Sequence, residues 1–258
     1  MSRLNSDLRK TIVDLVCSGG GGHIPSSFSI VDIINTIYCH YIIKENSNGK
    51  KNIFTLSKGH GACALYSVLY KFGLLKKDEI DSYLKYDSIL GGHPDCTKVK
   101  GAEASTGSLG HGLSFTIGRA LASKIKKEDK SYFVLVGDGE CHEGTIWESA
   151  IVANNLNLSN LICLVDYNKS SDQICAHNSL FEQFSSFGWE VIEADGHNEN
   201  SIKNAIEKCL FSRSKKPKSI IFDTIKGKGI DFMEGHGPWH YKIPNTSEYK
   251  KIMEALSI

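Results

Sequence analysis

The sequence predicts an α/β domain with a mostly parallel central sheet and helices on both faces. Three observations lead there. Two short apolar runs, Phe133 to Val136 and Leu161 to Val165, flank a helix-like segment of crossover length, the pattern of a strand–helix–strand unit. A second such unit follows, with strands at Trp189 to Ala194 and Ser219 to Thr224 around a helix at Asn200 to Ser212. No repeat, low-complexity tract or linker interrupts the 258 residues, so a single domain over 1–258 with one large core is expected.

The remaining elements follow in chain order. Leu4, Leu8, Ile12, Val13, Leu15 and Val16 form the apolar stripe of a helix that should stop at the four glycines Gly19 to Gly22. Ser26 and Ser27 suit the start of a second helix that buries Ile30, Val31, Ile33, Ile34 and Ile37. A short strand at 52–56 precedes a helix running to about Lys71, and Gly107 to Gly112 open another that reaches about Lys124. Residues 225–246 look irregular, with a last helix over about Ser247 to Leu256. An irregular segment of that length holding Lys226, Lys228, His236 and His240 is expected to carry function.

Composition narrows the function classes. Thirty basic against twenty-nine acidic residues leave a formal charge of +1, which disfavours nucleic acid or an anionic membrane as partner. The basic clusters Lys124 to Lys127 and Arg213 to Lys218 read as solvated helix ends and loops. The N-terminus has no apolar signal region, and no stretch reaches the length of a membrane span. Eight scattered cysteines without a CxxC pair point to a reduced, cytoplasmic setting, with a zinc site as the weaker alternative.

The chemistry concentrates where the first strand pair ends. Parallel neighbours joined by a crossover have their C-terminal ends on one side. Gly137-Asp138-Gly139 and Asn168 therefore share the sheet edge at which open α/β sheets bind ligands. A carboxylate and a carboxamide oxygen beside two glycines suit a hard cation that holds a phosphorylated cofactor. Of ten histidines, His23, His60, His93, His236 and His240 sit beside or near glycine or proline in predicted loops, where neutral imidazoles can polarise hydroxyls or shuttle protons. Glu143 lies near the start of the crossover helix, either complementing the helix dipole or standing as a buried acid near the cofactor; Glu140 and His142 read as solvated.

These segments resemble the transketolases among the thiamine-diphosphate enzymes. The likeness rests on Gly137-Asp138-Gly139 with Asn168, together with the motifs at 22–27 (GHIPSS), 56–60 (LSKGH), 92–95 (GHPD) and 106–112 (TGSLGHG), in order and over nearly the whole chain. The resemblance implies the diphosphate-domain fold, with thiamine diphosphate and Mg²⁺ (or Ca²⁺ or Mn²⁺) as cofactors. It implies Asp138, Asn168 and the Ser170 carbonyl as metal ligands. Gly137 and Gly139 would lie at the diphosphate, and Gly107, Ser108 and Leu109 along the thiamine rings. His23, His60, His93 and His240 match positions that touch the diphosphate or substrate hydroxyls and assist proton transfer. Glu143 matches a carboxylate linking two active sites of a dimer, close to the cofactor.

Transketolases continue into a pyrimidine-binding domain. The resemblance therefore implies the N-terminal subunit of a split enzyme, paired with a separate C-terminal subunit, in an α2β2 assembly. The activity implied is transfer of a two-carbon ketol unit from a ketose to an aldose. An enzyme acting on a modified or nucleotide-linked sugar, and a non-catalytic relative keeping only the fold, are the alternatives. Apolar surface around the cofactor cleft is expected to be exposed on the isolated chain. Ser170-Ser171-Asp172-Gln173 stand where the family carries apolar residues after the asparagine, so altered packing against the thiazolium ring is expected.

Overall fold

The computed structural model describes residues 3–44, 51–235 and 237–257. Among the described residues five strands, β1 (Ile53–Leu56), β2 (Tyr132–Gly137), β3 (Leu161–Tyr167), β4 (Glu190–Asp195) and β5 (Lys218–Asp223), form one sheet in the order β1-β2-β3-β5-β4. Every pairing is parallel. In register, Tyr132 faces Leu161 and Gly137 faces Asp166. The ends of β2 and β3 therefore lie side by side, as the crossover argument requires.

Nine α-helices among the described residues surround the sheet: α1 (Arg3–Gly19), α2 (Ile24–Ile37), α3 (Ala62–Lys71), α4 (Lys77–Asp81), α5 (His111–Ile125), α6 (Gly144–Asn155), α7 (Leu180–Ser186), α8 (Glu199–Phe211) and α9 (Thr246–Ala255). Strand alternation sorts the core into two layers. Phe54, Leu56, Phe133, Leu135, Ile162, Leu164, Ile220 and Phe222 face α1, α2, α3, α8 and α9. Val134, Val136, Cys163, Val165 and Ile221 face α5, α6 and α7. β2 is buried along its whole length and β3 up to its last residue, Tyr167, which is why both read as unbroken apolar runs rather than alternating ones. Each fully buried Leu, Ile or Phe contributes roughly 1.5–3 kcal/mol.

Two local departures from expectation have clear causes. α2 begins at Ile24, not at Ser26, because Pro25 occupies its first turn with its φ already helical. Gly22, at φ +138°, delivers the chain to that start, and a Cβ there would lie 2.7 Å from Val16 Cγ2. α4 and α7 are short, with too few turns to print a helical period in the sequence.

The basic clusters split in their fates. Lys124 caps a neighbouring helix end through the carbonyls of Leu156 and Asn157. Lys218 is not solvated as expected: it is buried at the start of β5, and its ammonium donates to the Ser159 carbonyl at 2.7 Å. Its place at the start of a strand flanked by β3 and β4, within reach of the Ser159 carbonyl, is invisible in a run of lysines and explains the difference. No helix among the described residues is long and apolar enough to cross a membrane, and all eight cysteines are unpaired.

Candidate active site

A cavity of about 930 Å³ opens at the C-terminal edge of β1, β2 and β3. Its lining includes His23, His60, His93, His240, Leu109, Gly137, Asp138, Gly139, Asn168 and Ser170, all expected from the sequence. Gly107 stands just behind the wall: a Cβ on it would meet the His93 ring at 3.0 Å. Ser108 is exposed beside it and bonds His111. Glu143 lies outside the lining and is exposed at the start of α6, so the expectation that it is a buried acid is corrected for this chain. Helix α6 starts at the cavity rim and turns that carboxylate outward. His236 lies outside the described residues.

Asp138 follows directly on β2 and is 4% exposed. Its Oδ1 accepts the Gly139 amide at 2.8 Å and its Oδ2 the Ser171 amide at 3.4 Å. Burial, and then the nearby Asp166 carboxylate, push its carboxyl above the usual range, the mark of an anion short of positive charge. Asn168 Oδ1 accepts the Ser170 amide at 3.1 Å and its Nδ2 donates to Asp166 Oδ2 at 3.0 Å. The hydroxyls of Ser170 and Ser171 are buried without a partner. Among the described residues no three His, Cys, Asp or Glu side chains converge as a metal site. A carboxylate and a carboxamide oxygen at one sheet edge, with a backbone carbonyl nearby, are instead groups that could hold a hard cation.

Beneath this edge lies a network that sequence reasoning missed. Asp166, fully buried at the end of β3, accepts Lys58 Nζ, Ser29 Oγ (2.8 Å) and Asn168 Nδ2 on one oxygen and Thr224 Oγ1 on the other. Lys58 is itself 2% exposed and also reaches Ser29 Oγ at 3.2 Å. The signal available was a lone aspartate closing an all-apolar run, since a buried carboxylate demands a cation. Glu140, expected to be solvated, is also buried, with Oε1 accepting the Gly110 amide at 2.8 Å and the Ser57 hydroxyl. The reason is a tight turn after Asp138 that folds Glu140 back under the cavity. Gly110, at φ +83°, caps α5 where a Cβ would meet Thr145 Oγ1 at 2.0 Å, so only glycine closes this corner.

The histidines cluster as anticipated. The His23 ring lies 5.3 Å from His60 and 5.1 Å from His240, centroid to centroid. Burial first, then the surrounding imidazoles and lysines, push His23 down to about 4. Burial and then Lys58 push His60 down to about 2. Burial, followed by Lys226, also lowers His240. At neutral pH each is an uncharged imidazole with one donor and one acceptor nitrogen. Lys226, lining the same cavity, places Nζ 3.0 Å from His240 Nδ1. His142, expected to be solvated, is exposed but stacks on His177 at 3.9 Å. At the rim, Leu109 is 39% and Ile174 93% exposed, the apolar surface expected around the cleft.

The depressed histidines imply a pH dependence. Unfolded imidazoles take up protons below about pH 6.5, whereas the folded chain refuses them until about pH 4 at His23 and lower at His60. Their contribution to stability is intact above about pH 6.5 and is lost as pH falls toward 4. The melting temperature should therefore drop on acidification through this window, and less steeply in His60→Asn. A flat profile, measured by scanning calorimetry, would contradict the burial of these rings.

Known proteins are similar to this chain in sequence and fold. The family profile described as "Transketolase, thiamine diphosphate binding domain" matches residues 2–256. The chain is 34% identical over 257 residues to an apulose-4-phosphate transketolase subunit from Phocaeicola vulgatus, covering 96% of this chain and 91% of that one. It is 34% identical over 236 residues to the 6-deoxy-6-sulfo-D-fructose transketolase subunit SqwG of Clostridium sp. (strain MSTE9), covering 88% and 86%. The crystal structure of transketolase from Campylobacter jejuni superposes with a TM-score of 0.89 at 26% identity, over 100% of this chain. This chain spans 43% of that transketolase's length. A family profile over nearly the whole chain and relatives matched along most of their length show that the chain belongs to the transketolase family, as its thiamine-diphosphate-binding domain.

Proposed function

We propose that this chain acts as one diphosphate-binding domain, the N-terminal subunit of a two-subunit transketolase that transfers a two-carbon ketol unit from a ketose to an aldose. One observation carries the reading. The cation-poor edge of Asp138, Asn168, Ser170 and Ser171 shares a single cavity with the uncharged His23–His60–His240 cluster. Relatives that match this chain over most of their own length are named as transketolase subunits, which supports a separate partner carrying the pyrimidine-binding domain. An α2β2 assembly in a reduced cytoplasm accommodates both that partner and the unpaired cysteines.

The residues present fit the implied cofactor. Asp138, Asn168 and the Ser170 carbonyl would hold Mg²⁺ or a similar divalent ion, which supplies the positive charge that the buried Asp138 lacks. Gly137 and Gly139 leave the backbone open to a diphosphate, and Leu109 with Ile174 offers apolar wall to the rings. Thiamine diphosphate, when bound, supplies the nucleophilic carbon and the electron sink for breaking a ketose C–C bond. The chain's part is to bind, orient and handle protons. His23, His60, His93 and His240 would present imidazole nitrogens to substrate hydroxyls and carbonyl, and an uncharged ring such as His23, His60 or His240 can both accept and return a proton. Glu143 is exposed at the start of α6, which supports a role at a neighbouring subunit rather than in this chain's own cavity.

The test is to combine the chain with its candidate partner and to assay ketol transfer from several ketoses, with thiamine diphosphate and Mg²⁺ present. Transfer should require both chains. His60→Ala or His240→Ala should lower turnover by roughly 10²–10⁴-fold, more than it lowers folding stability. Activity of this chain alone would overturn the split-subunit reading. Cofactor binding without transfer from any ketose would leave a non-catalytic relative.

A second reading concerns the sugar. The apulose-4-phosphate and 6-deoxy-6-sulfo-D-fructose relatives favour a modified sugar over the common ketose phosphates. Comparing kcat/KM for plain and modified ketoses decides between them.

A further inference from the structure

Outside the cavity, a buried polar cluster joins Arg9 of α1, Asp32 of α2 and His197 of the β4–α8 turn. Arg9 is fully buried, and all its donors are engaged. Nη1 and Nη2 meet the two Asp32 oxygens at 3.0 and 2.7 Å. Nε reaches the Lys228 carbonyl at 2.9 Å, and the carbonyls of Asn5 and Phe28 take the rest. His197 Nδ1 lies 2.8 Å from Asp32 Oδ2, and its Nε2 lies 2.9 Å from the Ile225 amide. A backbone N–H can only donate, so Nε2 accepts and the proton sits on Nδ1. Burial works against the Asp32 carboxylate, yet the His197 and Arg9 donors more than offset it and hold its carboxyl low.

This cluster grips the segment that delivers Lys226. The Ile225 amide is held by His197, the Lys226 carbonyl by the Gly235 amide at 2.8 Å, the Gly227 amide by the Pro25 carbonyl at 3.0 Å, and the Lys228 carbonyl by Arg9. Four consecutive residues are pinned, two of them by the cluster. From this segment the Lys226 ammonium meets His240 Nδ1 at 3.0 Å. An ammonium has no acceptor, so Nδ1 of His240 is unprotonated and its only proton is on Nε2.

We propose that Arg9, Asp32 and His197 are positioning residues: they set the 225–228 segment so that Lys226 locks His240 in its Nε2–H tautomer within the cavity. The catalytic weight of that tautomer rests on the transketolase reading, whereas the lock itself exists in the free chain. Arg9 and Asp32 are poor probes, since breaking a buried ion pair is strongly destabilising. His197, partly exposed, offers a finer cut. Asparagine places an amide where Nδ1 was and drops the acceptor for Ile225; glutamine reaches the Nε2 position and drops the donor to Asp32.

The experiment is nitrogen NMR of the imidazoles in the full chain, without cofactor. In the unaltered chain His240 should show a single tautomer with Nδ1 as acceptor. His197→Asn should lose that single-tautomer signature, His197→Gln should largely keep it, and Lys226→Met should lose it as His197→Asn does. The double variant His197→Asn with Lys226→Met should change His240 no further than either single one. Unchanged His240 resonances in His197→Asn, or additive changes in the double variant, would reduce the cluster to packing and overturn the proposal. Hydrogen exchange of the unaltered chain is a second measurement that stands if His197→Asn does not fold. The Ile225 and Gly227 amides should be protected like those of β5, and exchange at open-loop rates overturns the proposal. If the His240 results hold while the assembled enzyme binds no cofactor, it is the transketolase reading that fails, not the lock.

Discussion

Replacing Asp138 with alanine should abolish Mg²⁺-dependent binding of thiamine diphosphate. Of the three groups proposed to hold the cation, Asp138 alone carries charge. Outer-shell partners of metal ligands already cost 10–100-fold in affinity, so loss of this carboxylate should cost at least about 100-fold. Calorimetric titration of the two-chain assembly, with Mg²⁺ and then with chelator, measures it. The cofactor-free chain should respond in the opposite direction. There burial and Asp166 work against the Asp138 anion, so the melting temperature should hold level or rise. Undiminished Mg²⁺-dependent binding in Asp138→Ala would remove this residue from the metal site.

Asp166→Ala should be strongly destabilising. The substitution strands the Lys58 ammonium, 2% exposed, with only the Ser29 hydroxyl and the Ser26 carbonyl within reach. Breaking a buried pair by removing one partner costs about 3–5 kcal/mol. In a chain of this size that corresponds to roughly 6–20 °C in melting temperature. Asn168 also loses the acceptor that turns its carboxamide oxygen toward Ser170, so cofactor affinity should fall about 10–100-fold even in variants that remain folded. A melting temperature within about 2 °C of the unaltered chain would show that water replaces the lost anion, contrary to the closed packing around Lys58.

What was legible in the sequence shares one property: it depends on residues near one another in the chain. β2 and β3 announced themselves because parallel strands buried on both faces leave unbroken apolar runs. The neighbouring ends of β2 and β3, and with them the placement of Asp138 and Asn168, followed from crossover geometry alone. The loop histidines stood out by their glycine and proline neighbours, and the structure gathers His23, His60, His93 and His240 around one cavity.

Glu140 and Glu143 show where such reasoning stops. Both precede α6 and look alike as acids near a helix start, yet one is 3% exposed under the cavity floor and the other faces outward. A single turn of backbone decides between them, and no local pattern encodes it. The Lys58–Asp166 pair and the Arg9–Asp32–His197 cluster are further beyond reach, because their members come from different strands, helices and turns. Sequence periodicity reports which face of an element is apolar, and motifs report which chemistry is available. Which buried charges meet is settled only when the sheet and its helices close around them, since desolvation leaves each ion no partner but the one packed against it.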